Sequence, residues 1–149
     1  APLGRGIEFA ACDVADPAQV AALFAGLGAR FGAVDALVNN AGRQQFCERL
    51  EDLTTESFDA TIKTNVYAPF WVTRAALPHM DAGASIIITS SVQAFSPSEH
   101  LFDYAQTKAA NVALLARRLG HRAVLIGRVG DDDLREGLTR LQDFLGGAR

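Results

Sequence analysis

Seven consecutive residues, Ser85 to Ser91 (SIIITSS), constrain the fold of this chain more than any other feature. The run is β-branched and continuous rather than alternating, so it reads as a strand buried on both faces, as in a parallel sheet. Parallel neighbours need long crossover connections, usually helical, and helical patterns flank the run on both sides. Pro17 to Phe31 carries Val20, Leu23, Phe24, Leu27 and Phe31 at steps of three and four. That spacing predicts an amphipathic helix entered at Asp16 or Pro17 and stopped by Gly32. A long helix is predicted over Thr55 to His79, entered through Thr54 and Thr55 with Glu56 in its first turn. Tyr104 to Leu119 is a helix stopped by Gly120, and Leu134 to Leu145 is another. Between them lie Ile7 to Cys12, a short apolar stretch ending at Asp13, and two strand cores, Ala36 to Val38 and Ala123 to Ile126. Strands alternating with helices of this length mean βαβ units and an α/β fold with a parallel sheet.

Composition narrows the function classes. The 149 residues have room for one domain. Seventeen acids against fourteen bases give a net charge of −3, which argues against a nucleic-acid partner. No apolar run approaches the length of a membrane span, and no signal-peptide pattern opens the chain. Cys12 and Cys47 are too few for a disulfide framework and read as reduced, structural thiols of a cytoplasmic protein. His79, His100 and His121 lack metal-ligand spacing, so no metal is expected.

In parallel sheets ligands sit beyond the carboxyl ends of the strands. The polar residues at those ends are Asp13, Asn39-Asn40-Ala41-Gly42 and Ser90-Ser91. Each has a plain structural reading taken singly: a helix cap, a turn, and hydroxyls bonding backbone. Tyr104 and Lys108 lie four apart and share a helix face. A phenol is a poor proton carrier at neutral pH, and a neighbouring ammonium favours its ionised form. Such a pair suits acid–base work on an alcohol or ketone, although exposed Tyr/Lys pairs on helices are common. Lys63 and Lys108 are the only lysines among the fourteen basic residues. Pro69 lies four residues after Asn65 and has no N–H for the Asn65 carbonyl. Either the helix kinks there and offers that carbonyl to a water or ligand, or it ends near Val66 and restarts at Pro69.

Asp13-Val14, Asn39-Asn40-Ala41-Gly42, Asn65 within KTNVYAPF, Ser91, and Tyr104-x-x-x-Lys108 stand in the order of one family, and Ser91 precedes Tyr104 by thirteen residues. Over roughly residues 6–110 the chain resembles the short-chain dehydrogenases/reductases, and its wording is similar to the subgroup acting on sugars, polyols or small aldehydes. The resemblance implies a Rossmann-like parallel sheet with flanking helices and a nicotinamide cofactor, NAD or NADP. It implies a small-molecule alcohol or carbonyl as substrate. Tyr104 would then exchange a proton with the substrate oxygen, and Ser91 would orient that oxygen. Lys108 would favour the ionised tyrosine and hold the nicotinamide ribose, while Asn65 would position a water. Asp13 and Val14 would contact the adenine, and Asn40, Ala41 and Gly42 would line the cofactor groove. The helices carrying Asn65 and Tyr104 would be the surfaces through which copies form a homo-oligomer.

Two departures accompany the resemblance. The family's first strands and glycine-rich turn, which presents N–H groups to a pyrophosphate, would precede Ala1, so the sheet is expected to be incomplete and turnover impaired. Ile7 to Cys12 resembles the third strand and must then re-pair with the strand at Ala36 or leave an unpaired edge. After Lys108 no Pro-Gly loop follows. Residues 109–145 instead resemble the amino-terminal signature of ribokinase-like sugar kinases, through Asn111-Val112-Ala113, Gly120 and Gly130. The domain reading is therefore a partial dehydrogenase domain over 1–110 and a further α/β segment over 111–149 packed on it. A competing reading is a non-catalytic fragment that acts as an interaction module through its open sheet, and a third is sugar binding through the kinase-like tail.

Overall fold

A computed structural model of the chain describes residues 6–109 and the backbone of the strand Arg122–Ile126. Among the described residues three parallel strands form a sheet: β1 (Ala36–Asn39), β2 (Ser85–Thr89) and β3 (Arg122–Ile126), in that order across it. Ala36 pairs with Ser85 and Asn39 with Ile88, while Ser85 pairs with Arg122 and Thr89 with Ile126. The run at Ser85 is thus the central strand, and its last two residues, Ser90 and Ser91, leave the sheet at its carboxyl end.

Helix α1 (Pro17–Phe31) begins where the sequence predicts. The Asp16 carboxylate accepts the N–H groups of Ala18 and Gln19, and Gly32, at φ 81°, closes the helix. The predicted helix over Thr55 to His79 is one helical run with changing pitch. It comprises α2 (Thr55–Ile62), a π-helical turn (Lys63–Tyr67), α3 (Ala68–Ala76) and a closing 3₁₀ turn (Leu77–His79). Ahead of Pro69, the Ala68 N–H reaches back five residues to the Lys63 carbonyl. The helix therefore neither ends nor restarts; it widens, which resolves the two readings of Asn65. Helix α4 (Phe102–Ala109) starts two residues before the predicted Tyr104.

Val20 and Phe24 of α1, Leu37, Ala76, Met80, Ala84, Ile86 and Ile88 form the core on one face of the sheet. α1 lies close enough to the 3₁₀ turn after α3 that a Cβ at Gly28 would stand 2.4 Å from the His79 ring. The opposite face is less covered. Val38 is 57% exposed, and Ile87 is only half-buried. This corrects the expectation that Ser85 to Ser91 is buried on both faces: burial alternates, with Ile86 and Ile88 sealed. Ile7 to Cys12 also departs from its reading as a strand. It joins no ladder, Phe9 is 87% exposed, and no described strand lies on the free edge of β1. A strand is defined by a neighbour to bond, and this segment has none among the described residues. No described helix is long and apolar enough to cross a membrane.

The sugar-kinase resemblance over 109–145, the helix predicted over Leu134 to Leu145 and most of the segment 111–149 lie outside the described residues. Within that segment, Arg122–Ile126 belongs to the same sheet as β2.

Candidate active site

The carboxyl ends of β1 and β2, the π-helical turn and α4 converge, and polar side chains hold them together. Asn39, the last residue of β1, is buried and donates its Nδ2 to Thr73 of α3 at 3.1 Å. The chain then exposes Asn40, Ala41 and Gly42. Asn40 Oδ1 accepts the Thr89 hydroxyl at 2.9 Å, tying the end of β1 to the end of β2.

Asn65 sits inside the π-helical turn and is 6% exposed. Its Oδ1 accepts the Arg43 N–H at 2.7 Å, and its Nδ2 donates to the Arg43 carbonyl at 2.8 Å and to the Thr107 hydroxyl at 2.9 Å. One buried amide therefore clamps the loop after β1 and reaches α4. An extra residue in the helical turn carries a side chain to a place that regular helical spacing does not reach.

Tyr104 and Lys108 share a face of α4, with the Lys108 Nζ 5.5 Å from the centre of the Tyr104 ring. Lys108 is buried and donates to the Thr89 carbonyl at 2.9 Å. Burial pushes its ammonium below the ordinary lysine value, because charge loses hydration there. The buried Ser90 hydroxyl donates to the Lys108 carbonyl at 3.3 Å, fixing α4 to the end of β2. The half-buried Ser91 Oγ accepts the Gln93 N–H at 3.2 Å and caps a 3₁₀ turn, Val92–Ala94. Among the described residues its hydroxyl donates to no partner.

The structure thus brings together Asn40, Gly42, Asn65, Tyr104 and Lys108. A Cβ at Gly42 would lie 3.8 Å from Asn65 Oδ1 and 3.9 Å from Lys108 Nζ. Asp13 is exposed and closes its own turn, its Oδ1 accepting the Ala15 N–H at 2.9 Å; Val14 lies in that turn. Asp16, not Asp13, caps α1. No contact joins Asp13 or Val14 to the Tyr104 cluster among the described hydrogen bonds.

A dinucleotide fits part of this site. An ammonium has three N–H donors, and Lys108 spends one on Thr89 within the described residues, leaving donors for ribose hydroxyls beside a loop whose side chains at Ala41 and Gly42 are minimal. The pyrophosphate is less well served. The N-terminus of α1 is filled by its Asp16 cap and that of α2 by the Thr54 hydroxyl. Sequence reasoning missed Thr107, the Thr89 carbonyl and the Arg43 backbone. A threonine between two candidate catalytic residues was the available signal for Thr107.

Residues 2–124 match the short chain dehydrogenase family, so the match extends through most of β3. The oxidoreductase YghA of Escherichia coli is 51% identical over 79 residues, covering 53% of this chain and 27% of that protein. A glucose and ribitol dehydrogenase of Daucus carota is 42% identical over 83 residues, covering 56% of this chain and 28% of that one. Among solved structures, a short chain dehydrogenase from Burkholderia cenocepacia in complex with NADP superposes with a TM-score of 0.70 at 35% identity. That alignment covers 76% of this chain and 49% of the other. The chain spans about a third or less of the length of the curated relatives it matches first. With a Rossmann-like parallel sheet and a family match over most of its length, the chain belongs to the short chain dehydrogenase family.

Proposed function

We propose that these residues form the catalytic part of an NAD(P)-dependent oxidoreductase that interconverts an alcohol and a carbonyl, with Tyr104 as the proton carrier. The observation that carries the reading is the desolvated Lys108 ammonium held beside the Tyr104 ring, on a helix tied to the end of β2. A bound nicotinamide supplies or accepts the hydride. Tyr104 gives its hydroxyl proton to the substrate oxygen in reduction and takes one back in oxidation. Ser91 orients that oxygen through its hydroxyl proton. Lys108 favours the ionised phenol and holds ribose hydroxyls. The Asn65 carbonyl, four residues before a proline without an N–H, is offered to a water that passes the proton onward. Asn40, Ala41 and Gly42 line the cofactor groove, and Asp13 and Val14 border the adenine. The carrot relative, a glucose and ribitol dehydrogenase, supports a sugar or polyol as the substrate class. Two free cysteines agree with a cytoplasmic setting.

A thermal melt with and without millimolar NAD(H) and NADP(H) tests the cofactor reading. A transition raised by either is expected, since a ligand that binds only the native state must stabilise it. A transition indifferent to both overturns it. Tyr104→Phe is expected to abolish cofactor-dependent turnover while leaving the melt intact, and unchanged turnover removes Tyr104 from its role.

The exposed Phe9, Val38 and free edge of β1 support a second reading, an interaction module that associates through its open sheet. It requires self-association that falls when Val38 is replaced by lysine, with no turnover at any cofactor concentration.

A further inference from the structure

Three hydrogen-bonding groups of the Asn65 amide are satisfied in a buried setting, two by the Arg43 backbone and one by Thr107. Thr107 is 4% exposed and lies on α4 between Tyr104 and Lys108. Its hydroxyl donates to the Tyr104 carbonyl at 2.7 Å. A hydroxyl has one proton to give, so with that proton committed, only lone pairs face Asn65 and the direction of the network is fixed. Back-bonding of a helical threonine to its own helix is ordinary. Thr61, fully buried on α2, does so to the Ser57 carbonyl at 3.1 Å. Thr107 differs in also holding a side chain 42 positions away.

We infer that Thr107 is the positioning residue that locks Asn65, and through it the loop at Arg43, to the helix carrying Tyr104 and Lys108. Without that hydroxyl, one Asn65 N–H is left buried and unpaired. The amide then loses the contact that sets its height along α4. The π-helical turn and α4 then keep their packing against each other but lose the three-way clamp. The effect on turnover rests on the oxidoreductase reading; the clamp itself does not.

The Arg43 amide belongs to no ladder, and its N–H is held by Asn65 Oδ1, so its hydrogen exchange reports how firmly Asn65 is placed. In the full chain, Thr107→Val, which keeps the shape and removes the hydroxyl, is expected to raise Arg43 exchange about tenfold relative to the amides of β2. Thr107→Ser should restore protection to within about threefold, because it keeps the bonding oxygen. Thr61→Val, which removes a buried hydroxyl elsewhere, should leave Arg43 as it is. Unchanged Arg43 exchange in Thr107→Val overturns the inference. So does a rise shared equally with β2, which is a general loss of stability. The wild-type chain supplies a check that needs no variant: both protons of the Asn65 side-chain amide should exchange slowly, and rapid exchange of either overturns the clamp.

Turnover separates the two ideas. Thr107→Val should lower kcat about tenfold with KM unchanged, and Thr107→Ser should recover it. An unchanged kcat beside a loosened Arg43 removes the catalytic consequence. Retained turnover in Tyr104→Phe removes the oxidoreductase reading and leaves the exchange result standing.

Discussion

The two borders of β1 make an instructive pair. At its carboxyl end, Asn39, Asn40 and Arg43 meet polar partners from α3, β2 and the π-helical turn. On its outer face Val38 stands 57% exposed, and no described strand pairs with its other edge. The same four-residue strand is therefore tightly specified at one end and open on one side. A buried polar group left without a partner is costly, so the site end is over-determined by side chains that must all be satisfied at once. Exposed apolar groups on an edge carry no such penalty in the isolated chain; their cost appears when another surface meets them. What specifies the site end is polar satisfaction rather than apolar burial.

The sharpest way to break that contrast is to compare two apolar deletions on neighbouring strands. Ile86→Ala, at 1% exposure, is expected to cost about 2–5 kcal/mol. Val38→Ala should stay within about 0.5 kcal/mol, as read by denaturant midpoints. Similar losses would show that the outer face is covered in solution. Asn65→Leu removes three hydrogen bonds and strands the Arg43 backbone and Thr107, at roughly 2–3 kcal/mol. A wild-type midpoint for that variant would deny that polar satisfaction sets the site end.

Lys108 sharpens the comparison through pH. Its folded-state proton is held less tightly than the ordinary value of 10.5, because of burial. Between the depressed value and the ordinary one, the unfolded chain binds more protons than the native state. The free energy of unfolding therefore gains a rising contribution with pH across that window. Lys108→Met should lose this contribution, so the difference between the two pH–stability curves isolates it; parallel curves would remove the desolvation argument. The smallest effect is expected for Phe9→Ser, within about 0.5 kcal/mol at equilibrium, with any change appearing in self-association measured by sedimentation.

Much of this was legible from residues alone. The period of Val20, Leu23, Phe24 and Leu27 and the Asp16 cap placed α1, because both signals are local. The apolar run at Ser85 identified a strand, and Pro69 flagged the irregularity at Asn65, since a missing N–H is a property of the residue itself. Helical spacing put Tyr104 and Lys108 on one face of α4, which is again a local property. The distribution of burial could not be read in the same way. Ile87 and Val38 are as apolar as Ile86 and Leu37, and only the elements packed above each face make them differ. Nor could the unpaired state of Ile7 to Cys12, since pairing belongs to two segments.

The sequence by itself thus determined the class of fold, the crossover helices and which residue types stand at the strand ends, because periodicity, capping and a proline act within a few positions. Only the tertiary structure decided what those residues hold. Asn65 bonds Arg43 and Thr107, and Lys108 bonds Thr89, across separations of 19 to 42 positions. Burial makes those bonds obligatory, and burial comes from the packed chain as a whole.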